Sequence, residues 1–375
     1  QDIDRLTRDR HLSVVTRIRL LAGVVTRGAK EYAVGGDRKR PGGYKSLVHA
    51  TSAAGGRGPA SSPARGSGHK SLARADRPAQ SQYTEQLIRV EQARLQALGL
   101  LKPVASGLGL LPLGTAFLQF DFTLAKPYIS KDDDPFYVAD SVNPVRKDKV
   151  FKVPMVSASS WKGMLRWTAM QVRLVERKDE LSDETFAQER LRLALLFGDE
   201  KGEEPGQPKD LARFVDTLRW GARSHYREAV RQRFASDDDG EMPHHSGRLM
   251  CYATFFDSID VEVINPHSRD TKAGTHPIYL ECVPAGATGT FSLLYVPFDL
   301  IGQAEDEIRR QAGEDLQIAA QAVQAMMLTY GFSAKRSSGY GAAEDKIAGA
   351  LRTRPDEKRL SSLRQLPQEV EHVRF

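Results

Sequence analysis

Cysteine is scarce in this chain, and its scarcity argues against two classes of protein. Among 375 residues there are only two cysteines, Cys251 and Cys282. Small secreted proteins held by disulfides and proteins with a cysteine zinc site both need more thiols than this. We therefore expect both cysteines to be small, buried, apolar side chains.

Long apolar runs are also missing. No apolar segment reaches the roughly 20 residues that a membrane-spanning helix needs. The first apolar stretch, residues 12–25, is interrupted by arginines and lacks the pattern of a signal peptide. We expect a cytoplasmic protein that does not interact with a membrane.

A general excess of one charge is absent from most of the chain. The formal net charge is +6, but residues 1–80 hold 16 Lys/Arg against 6 Asp/Glu, which leaves 38 against 42 for the remainder. The overall basicity is therefore weak evidence for nucleic-acid binding. A nucleic-acid surface in the remainder must be built from local clusters of positive charge.

The chain divides by composition into three regions. Residues 1–80 are basic, and from residue 35 onward they are rich in Gly, Ser, Ala, Pro and Arg. Such a composition buries too little apolar surface to offset chain entropy, so we predict a disordered N-terminal tail. Residues 81–113 form a helical lead-in, and residues 114–375 form the main domain, with an insertion at 199–247.

The main domain has a recognisable order of elements. Periodicity and capping residues predict, in chain order, a strand at 116–124, helices at 160–177 and 182–197, a short helix near 211–219, strand-like runs at 248–264 and 278–296, a long helix at 304–330 and a final strand. Without the insertion the order is β-α-β-β-α-β. This is the split βαβ, or ferredoxin-like, arrangement of the α+β class.

A glycine-punctuated loop at residues 330–341 carries the first candidate binding site. It follows the long helix and contains Lys335, Arg336, Gly339 and Gly341 together with three serines. Glycines allow a polyanion to approach the backbone, and the cations and hydroxyls can donate to phosphate oxygens. The alternative is a helix C-cap that runs into an ordinary surface turn.

A second basic segment precedes and enters the helix at 160–177. Ser159 or Ser160 can cap this helix, and Lys162 and Arg166 follow in its first turns. The free N–H groups of a helix N-terminus, a lysine and an arginine together suit a phosphate. The alternative is a plain helix cap with a solvated Lys162. We expect this segment and the glycine-rich loop to converge on one groove.

Several loose motifs occur in a specific order between residues 116 and 344. In chain order they are Asp140, Pro144-Val145-Arg146-Lys147-Asp148, Pro154-Met155-Val156, Ser159-Ser160-Trp161-Lys162-Gly163, Leu196-Phe197-Gly198, Gly247-Arg248-Leu249, Asn265-Pro266-His267, Glu281-Cys282-Val283-Pro284 and the glycine-rich loop. This series resembles the RAMP superfamily of proteins from CRISPR effector complexes. Within that superfamily it looks most like the repeating backbone subunit of type III complexes.

The resemblance implies a ferredoxin-like (RRM-like) RAMP core that grips a guide RNA by its backbone, beside target RNA and other CRISPR effector subunits. The residues that we expect to bind RNA are Arg146, Lys147, Lys149, Ser159, Ser160, Lys162, Arg166, Lys335, Arg336, Gly339 and Gly341. Trp161, Trp167 and Trp220 are candidates either for the core or for base stacking, and we expect Trp167 to be in the core.

The resemblance also implies cleavage of target RNA by a loop aspartate with a divalent metal. Asp140 is the matching position and the candidate metal ligand, and Asp134 is its alternative. A carboxylate can accept a proton from the 2′-hydroxyl or hold Mg²⁺, which prefers oxygen ligands. Two other functions stay open. One is a purely structural RNA-binding subunit, and the other is a metal-independent nuclease that processes guide RNA with His267.

Overall fold

The centre of the fold is an antiparallel sheet of five strands. The computed structural model describes residues 12–22, 44–48, 81–131, 143–199, 211–234, 243–265 and 278–375. The strands of the sheet are β1 (Ala116–Leu124), β3 (Leu249–Cys251), β7 (Thr288–Tyr295), β8 (Ala343–Arg352) and β9 (Glu357–Ser362), in the spatial order β3-β7-β1-β8-β9.

Four short strands form two smaller antiparallel sheets. Strand β2 (Met155–Val156) pairs with β4 (Thr254–Phe255). Strand β5 (Asp260–Ile264) pairs with β6 (Ile278–Cys282) to make a separate hairpin.

The helices flank these sheets or belong to the insertion. They are α1 (Val14–Ala22), α2 (Tyr44–Val48), α3 (Arg89–Ala97), α4 (Ala158–Met170), α5 (Asp183–Phe197), α6 (Leu211–Leu218), α7 (Ala222–Phe234), α8 (Glu305–Ala325) and α9 (Leu366–Glu371). A wider π-helical turn precedes α3, and two others extend α4 and α8, at Thr84–Ile88, Gln171–Val175 and Met326–Tyr330 respectively.

The topology confirms the predicted fold class. The order β1-α4-β3-β7-α8-β8, with β1 between β7 and β8, is the split βαβ arrangement. The pattern in β1 explains its place in the sheet, because Phe120 and Phe122 point to one face and are buried while Asp121 is exposed on the other. Trp161 of α4 is fully buried against this face, with its ring 4.6 Å from that of Phe332.

Local capping signals place the helix ends. Helix α5 begins after Ser182, whose hydroxyl accepts from the Thr185 N–H at 3.1 Å, and it ends at Gly198 with φ +94°. Both ends agree with the sequence-based prediction. Helix α4 begins two residues earlier than predicted, because the capping side chain is that of Ser157, which accepts from the Ser160 N–H at 3.2 Å.

Three parts of the main domain differ from the prediction. The run 248–264 contains three strands, β3, β4 and β5, which belong to three different sheets. Helix α7 was not predicted, because most of its residues are charged or polar. Strand β9 and helix α9 were also not predicted. They form an additional sheet edge and a short helix after the last expected strand.

The predicted N-terminal tail is structured in at least two places. Helices α1 and α2 lie within residues 1–80, and their apolar side chains belong to the main core, with Ile18, Leu21 and Leu47 each 0% exposed. Arg17 of α1 donates to Gln82 and Gln86 at 3.2 and 2.7 Å, which ties α1 to the lead-in. The rest of residues 1–80 lies outside the described residues.

Candidate nucleic-acid interface

The glycine-rich loop after α8 closes on itself. Gly331 and Gly341 both have φ +73°, a conformation that side chains with a Cβ rarely adopt. A Cβ on Gly341 would lie 2.4 Å from the Cβ of Ser333, and a Cβ on Gly331 would lie 2.6 Å from the carbonyl oxygen of Tyr340. These two glycines therefore allow the two arms of the loop to touch. Gly341, which we predicted to face RNA, instead packs against Ser333.

The tip of the loop presents its cations from a short, tight turn. Lys335 has φ +58° and is exposed, and residues Arg336–Ser338 form one 3₁₀ turn that ends at Gly339 with φ +81°. The Ser338 N–H donates to the Lys335 carbonyl at 2.9 Å. A Cβ on Gly339 would meet no atom within 4 Å, so the backbone there is open to a ligand.

The loop meets two other segments at a place that we call the junction, made of residues 127–131, 143–147 and 331–341. Ser333 donates to the Ile129 carbonyl at 2.9 Å, and the Ala334 N–H donates to the same oxygen at 2.9 Å. The Arg146 N–H donates to the Ser130 hydroxyl at 2.9 Å. The backbone next to Lys335 and the backbone of Arg146 are thus both bonded to the adjacent residues Ile129 and Ser130.

The junction carries exposed positive charge. Arg146 and Lys335 are exposed, and so are Lys126, Lys131 and Lys149 in or beside the three segments. Ser337 and Ser338 add exposed hydroxyls. Two of these cations, Lys126 and Lys131, were not among the predicted binding residues, because nothing in the sequence indicated that the chain after β1 runs beside the glycine-rich loop.

Lys147 does not belong to this exposed surface. Its ammonium forms an ion pair with Glu281 in which both side chains are 0% exposed. The Glu281 carboxylate also accepts from the Tyr44 hydroxyl and, at 3.1 Å, from the Val145 N–H. Burial raises the pKa of Glu281 well above its ordinary value, and the Val145 N–H opposes this. The prediction that Lys147 contacts RNA is corrected by this burial, since a surface phosphate cannot reach its ammonium.

The N-terminus of α4 keeps some of its predicted features. Ser159 is exposed and Ser160 half-buried, and the hydroxyls of both lie within 3.0 Å of the capping hydroxyl of Ser157. Lys162 is half-buried on the side of α4 that faces β3. Burial raises the pKa of the Cys251 thiol of β3 to about 12, and the Lys162 charge opposes that shift. The charge of Lys162 therefore acts on the β3 side of the α4 N-terminus.

Arg166 has a structural position. Its guanidinium donates to the carbonyls of Asp199 and Gly198 at 3.0 and 3.3 Å, where α5 has just ended. A cation is favourable at the C-terminus of a helix. The predicted RNA contact of Arg166 would therefore compete with these two bonds.

Two of the sequence motifs of the main domain pack against each other and have a structural role. A Cβ on Gly247 would lie 2.4 Å from the Gly198 nitrogen, so the Leu196-Phe197-Gly198 and Gly247-Arg248-Leu249 motifs meet at a contact that only glycine allows. The buried Arg248 then donates to Asp299 at 2.8 and 2.6 Å and to Asp315 at 2.6 Å. Arg248 thus joins β3 to α8.

Arg336 connects the glycine-rich loop to α4. Its guanidinium carbon lies 4.0 Å from the centre of the Trp167 ring, so the glycine-rich loop contacts α4 at Trp167. That the loop and the N-terminus of α4 share one groove stays a prediction. Lys162 lies five residues before Trp167, which places it about 140° around the helix. The expectation for the tryptophans was incomplete. Trp161 is the fully buried one, Trp167 is half-buried at the edge of the core, and Trp220 is 60% exposed.

The predicted catalytic residues cannot be placed. Asp140, Asp134 and His267 all lie outside the described residues. Within the described ranges, no group of three or more His, Cys, Asp or Glu side chains could hold a metal ion. Both free cysteines lie in the described part, Cys282 buried and Cys251 half-buried. No helix in that part is long and apolar enough to cross a membrane.

Comparison with known proteins gives a family match and low structural similarity. The sequence model of the RAMP superfamily matches residues 134–344. No curated protein matches the chain. A chain of the type III-B Cmr-beta complex bound to cognate target RNA is 12% identical, with a TM-score of 0.34 over 73% of this chain and 66% of that chain.

Two further structures give similar values. A chain of the Csm3-Csm4 subcomplex of the type III-A CRISPR-Cas interference complex is 12% identical, with a TM-score of 0.33 over 70% of this chain and 97% of that chain. Cmr6 from Pyrococcus furiosus is 12% identical, with a TM-score of 0.31 over 62% of this chain and 99% of that chain. These similarities are too low to assign a position in any one complex.

Proposed function

The chain belongs to the RAMP superfamily, and on that premise we propose that the junction binds the ribose-phosphate backbone of a CRISPR guide RNA within a type III-like ribonucleoprotein. The observation that carries the proposal is that the backbone of Arg146 and the backbone next to Lys335 bond to the adjacent residues Ser130 and Ile129. Two segments far apart in the chain thereby bring exposed cations next to a third segment, residues 127–131.

The chemistry of the junction suits a backbone better than a base edge. Its exposed groups are ammonium, guanidinium and hydroxyl donors, together with the open backbone at Gly339. Charge-assisted bonds to phosphate oxygens are strong and carry no sequence information. A protein that holds guides of any sequence needs this kind of contact.

The salt dependence of RNA binding tests the proposal. We expect Arg146→Ala and Lys335→Ala each to weaken binding of a single-stranded RNA and to lower the slope of log Kd against log salt by about 0.7. Arg359→Ala is the matched control, because this exposed arginine lies on the edge strand β9, outside the junction. If both junction variants bind like the control, the junction is not a phosphate site.

The identity of the RNA has its own test. RNA that copurifies with the protein can be sequenced directly. We expect repeat-derived guide sequences, together with other effector subunits in the same particle. Bulk cellular RNA without repeat sequences would contradict the assignment to a guide ribonucleoprotein.

We further propose that target RNA is cleaved with the help of Asp140, with Asp134 as the alternative carboxylate. Asp140 precedes Asn143 of the junction by three residues in the sequence. Mg²⁺ held by such a carboxylate would neutralise charge that develops on the phosphate. In the assembled complex, Asp140→Ala should abolish cleavage at one position of the target while RNA binding is kept.

Two additional measurements distinguish the other two functions. Cleavage that persists in both Asp140→Ala and Asp134→Ala complexes would favour a structural subunit beside a different nuclease. Cutting of precursor guide RNA by the isolated chain in EDTA, and its loss in His267→Ala, would favour a metal-independent processing nuclease.

A further inference from the structure

Trp167 is held between a cation and an aromatic ring. The guanidinium carbon of Arg336 lies 4.0 Å from the centre of the indole. The ring of Tyr330 meets the indole edge-on, with 5.1 Å between centroids and an interplanar angle of 89°. Tyr330 donates in turn to Glu176. The indole is therefore oriented by its neighbours, and Arg336 covers it.

One nitrogen of the Arg336 guanidinium is left without a bond to any described residue. Its Nη1 nitrogen is buried and has no hydrogen-bond partner among the described residues. A buried donor without an acceptor is unfavourable. A guanidinium also matches the geometry of phosphate oxygens, which accept two parallel bonds. A phosphate at the junction would therefore offer Arg336 bonds that it does not make over Trp167.

The surroundings of Trp167 have room for movement. A cavity of about 150 Å³ between α4, α5 and α6 has Trp167 in its wall, together with the apolar side chains of Met170, Leu174 and Leu193. Gly163, one turn earlier on α4, is also in the wall, and a Cβ there would meet no atom within 4 Å. The space beside the indole is thus incompletely filled and mostly apolar, with Arg166 and Arg190 also in its wall.

From this geometry we propose that Trp167 is a stacking platform for a base of single-stranded RNA. Arg336 covers the indole in the free protein and turns to a phosphate when RNA binds, which leaves the ring for a base. The proposal rests on the RNA binding proposed above. Every nucleobase has a π face, so such a platform tolerates any sequence, as a guide-binding protein requires.

Acrylamide quenching of tryptophan fluorescence tests directly whether an RNA base replaces Arg336 on the Trp167 ring. The Trp220→Phe protein is used, because Trp220 is exposed whereas Trp161 is fully buried. We expect a uridine oligonucleotide to protect Trp167 from acrylamide. Polyphosphate, a polyanion without bases, should have the opposite effect, since it would draw Arg336 away without supplying a base. This measurement uses Trp167 itself and does not depend on the stability of a Trp167 variant.

Binding affinities separate stacking from charge. Trp167→Leu should weaken RNA binding by about 5- to 150-fold without changing the salt slope. Trp167→Phe should keep most of the affinity, and Arg336→Ala should lower the slope by about 0.7.

Three results would contradict the proposal, each in a different part. If Trp167→Leu lowers the salt slope as much as Arg336→Ala does, Trp167 only positions Arg336 and is not a platform. If RNA fails to protect Trp167 from acrylamide while Lys335→Ala weakens binding, stacking is wrong and the phosphate site remains. If none of these variants changes RNA binding, the proposed function itself fails.

Discussion

The ion pair between Lys147 and Glu281 shows how burial changes the role of a residue. Both side chains are inaccessible to solvent, and Glu281 also receives bonds from Tyr44 and Val145. The pair holds the segment before α4 against β6. Lys147 therefore stabilises the segment that carries Arg146 from within the core. It does not add a charge to the exposed surface.

We expect Lys147→Met to destabilise the protein strongly. Removal of one partner of a buried pair leaves an uncompensated charge, which costs about 3–5 kcal/mol. Urea unfolding at pH 7 measures the change. Lys149→Met is the control, because Lys149 is exposed two residues later and should shift stability by less than about 0.5 kcal/mol. Unchanged stability together with a lower salt slope for RNA binding would make Lys147 a phosphate contact after all.

At the scale of elements, the turn after β9 depends on one carboxylate of β8. Asp345 accepts from the Arg364 N–H at 2.9 Å and from the Ser362 hydroxyl at 3.0 Å. The bond from the Arg364 N–H is the main reason that the pKa of Asp345 lies below its ordinary value. The ionised carboxylate thereby fastens the β9–α9 connection to the sheet.

The stability that Asp345 contributes should depend on pH. Its pKa is lowered in the folded state, so the contribution is complete above the ordinary pKa of an aspartate, about 3.9, and disappears as the pH falls through the lowered value. We expect Asp345→Asn to lower Tm at pH 7 and to converge with the wild type in acid. Glu344→Gln, an exposed neighbour, should leave Tm unchanged. A deficit of equal size at every pH would show that ionisation of Asp345 is not the cause.

At the scale of the whole molecule, the first residues of the chain take part in the core. Helix α1 packs against the lead-in, and Tyr44 of α2 reaches Glu281 of β6. Through Glu281 these helices are connected to the segment that carries Arg146. Helix α2 is therefore joined to the segment that carries Arg146 through the buried carboxylate of Glu281.

Two variants in α1 test this role. Ile18→Ala removes a fully buried side chain and should cost about 2–5 kcal/mol in unfolding free energy. Leu20→Ala in the same helix changes a side chain that is 49% exposed and should cost much less. If both variants lower the unfolding free energy measured in denaturant by the same small amount, α1 does not contribute to the core.

Elements with strong local signals could be predicted from the sequence. Strand β1 was predicted at its observed bounds, and α5 to within one residue, because alternation, a capping serine and a terminal glycine act over a few residues. Helices α1 and α2 were missed because the overall composition of residues 1–80 indicated disorder, although short segments within it have an apolar face. Those faces become favourable only when the core of the main domain covers them.

The sequence by itself determined the order of elements, the family motifs and the basic character of two segments, since these depend on residue type and short-range spacing. Only the tertiary structure decided which charges reach the surface. Lys147 and Arg146 are neighbours in the chain, but Glu281, 134 residues away, buries the first while the second stays exposed. The partner that fixes a charged side chain is usually distant in sequence, so local pattern cannot reveal it.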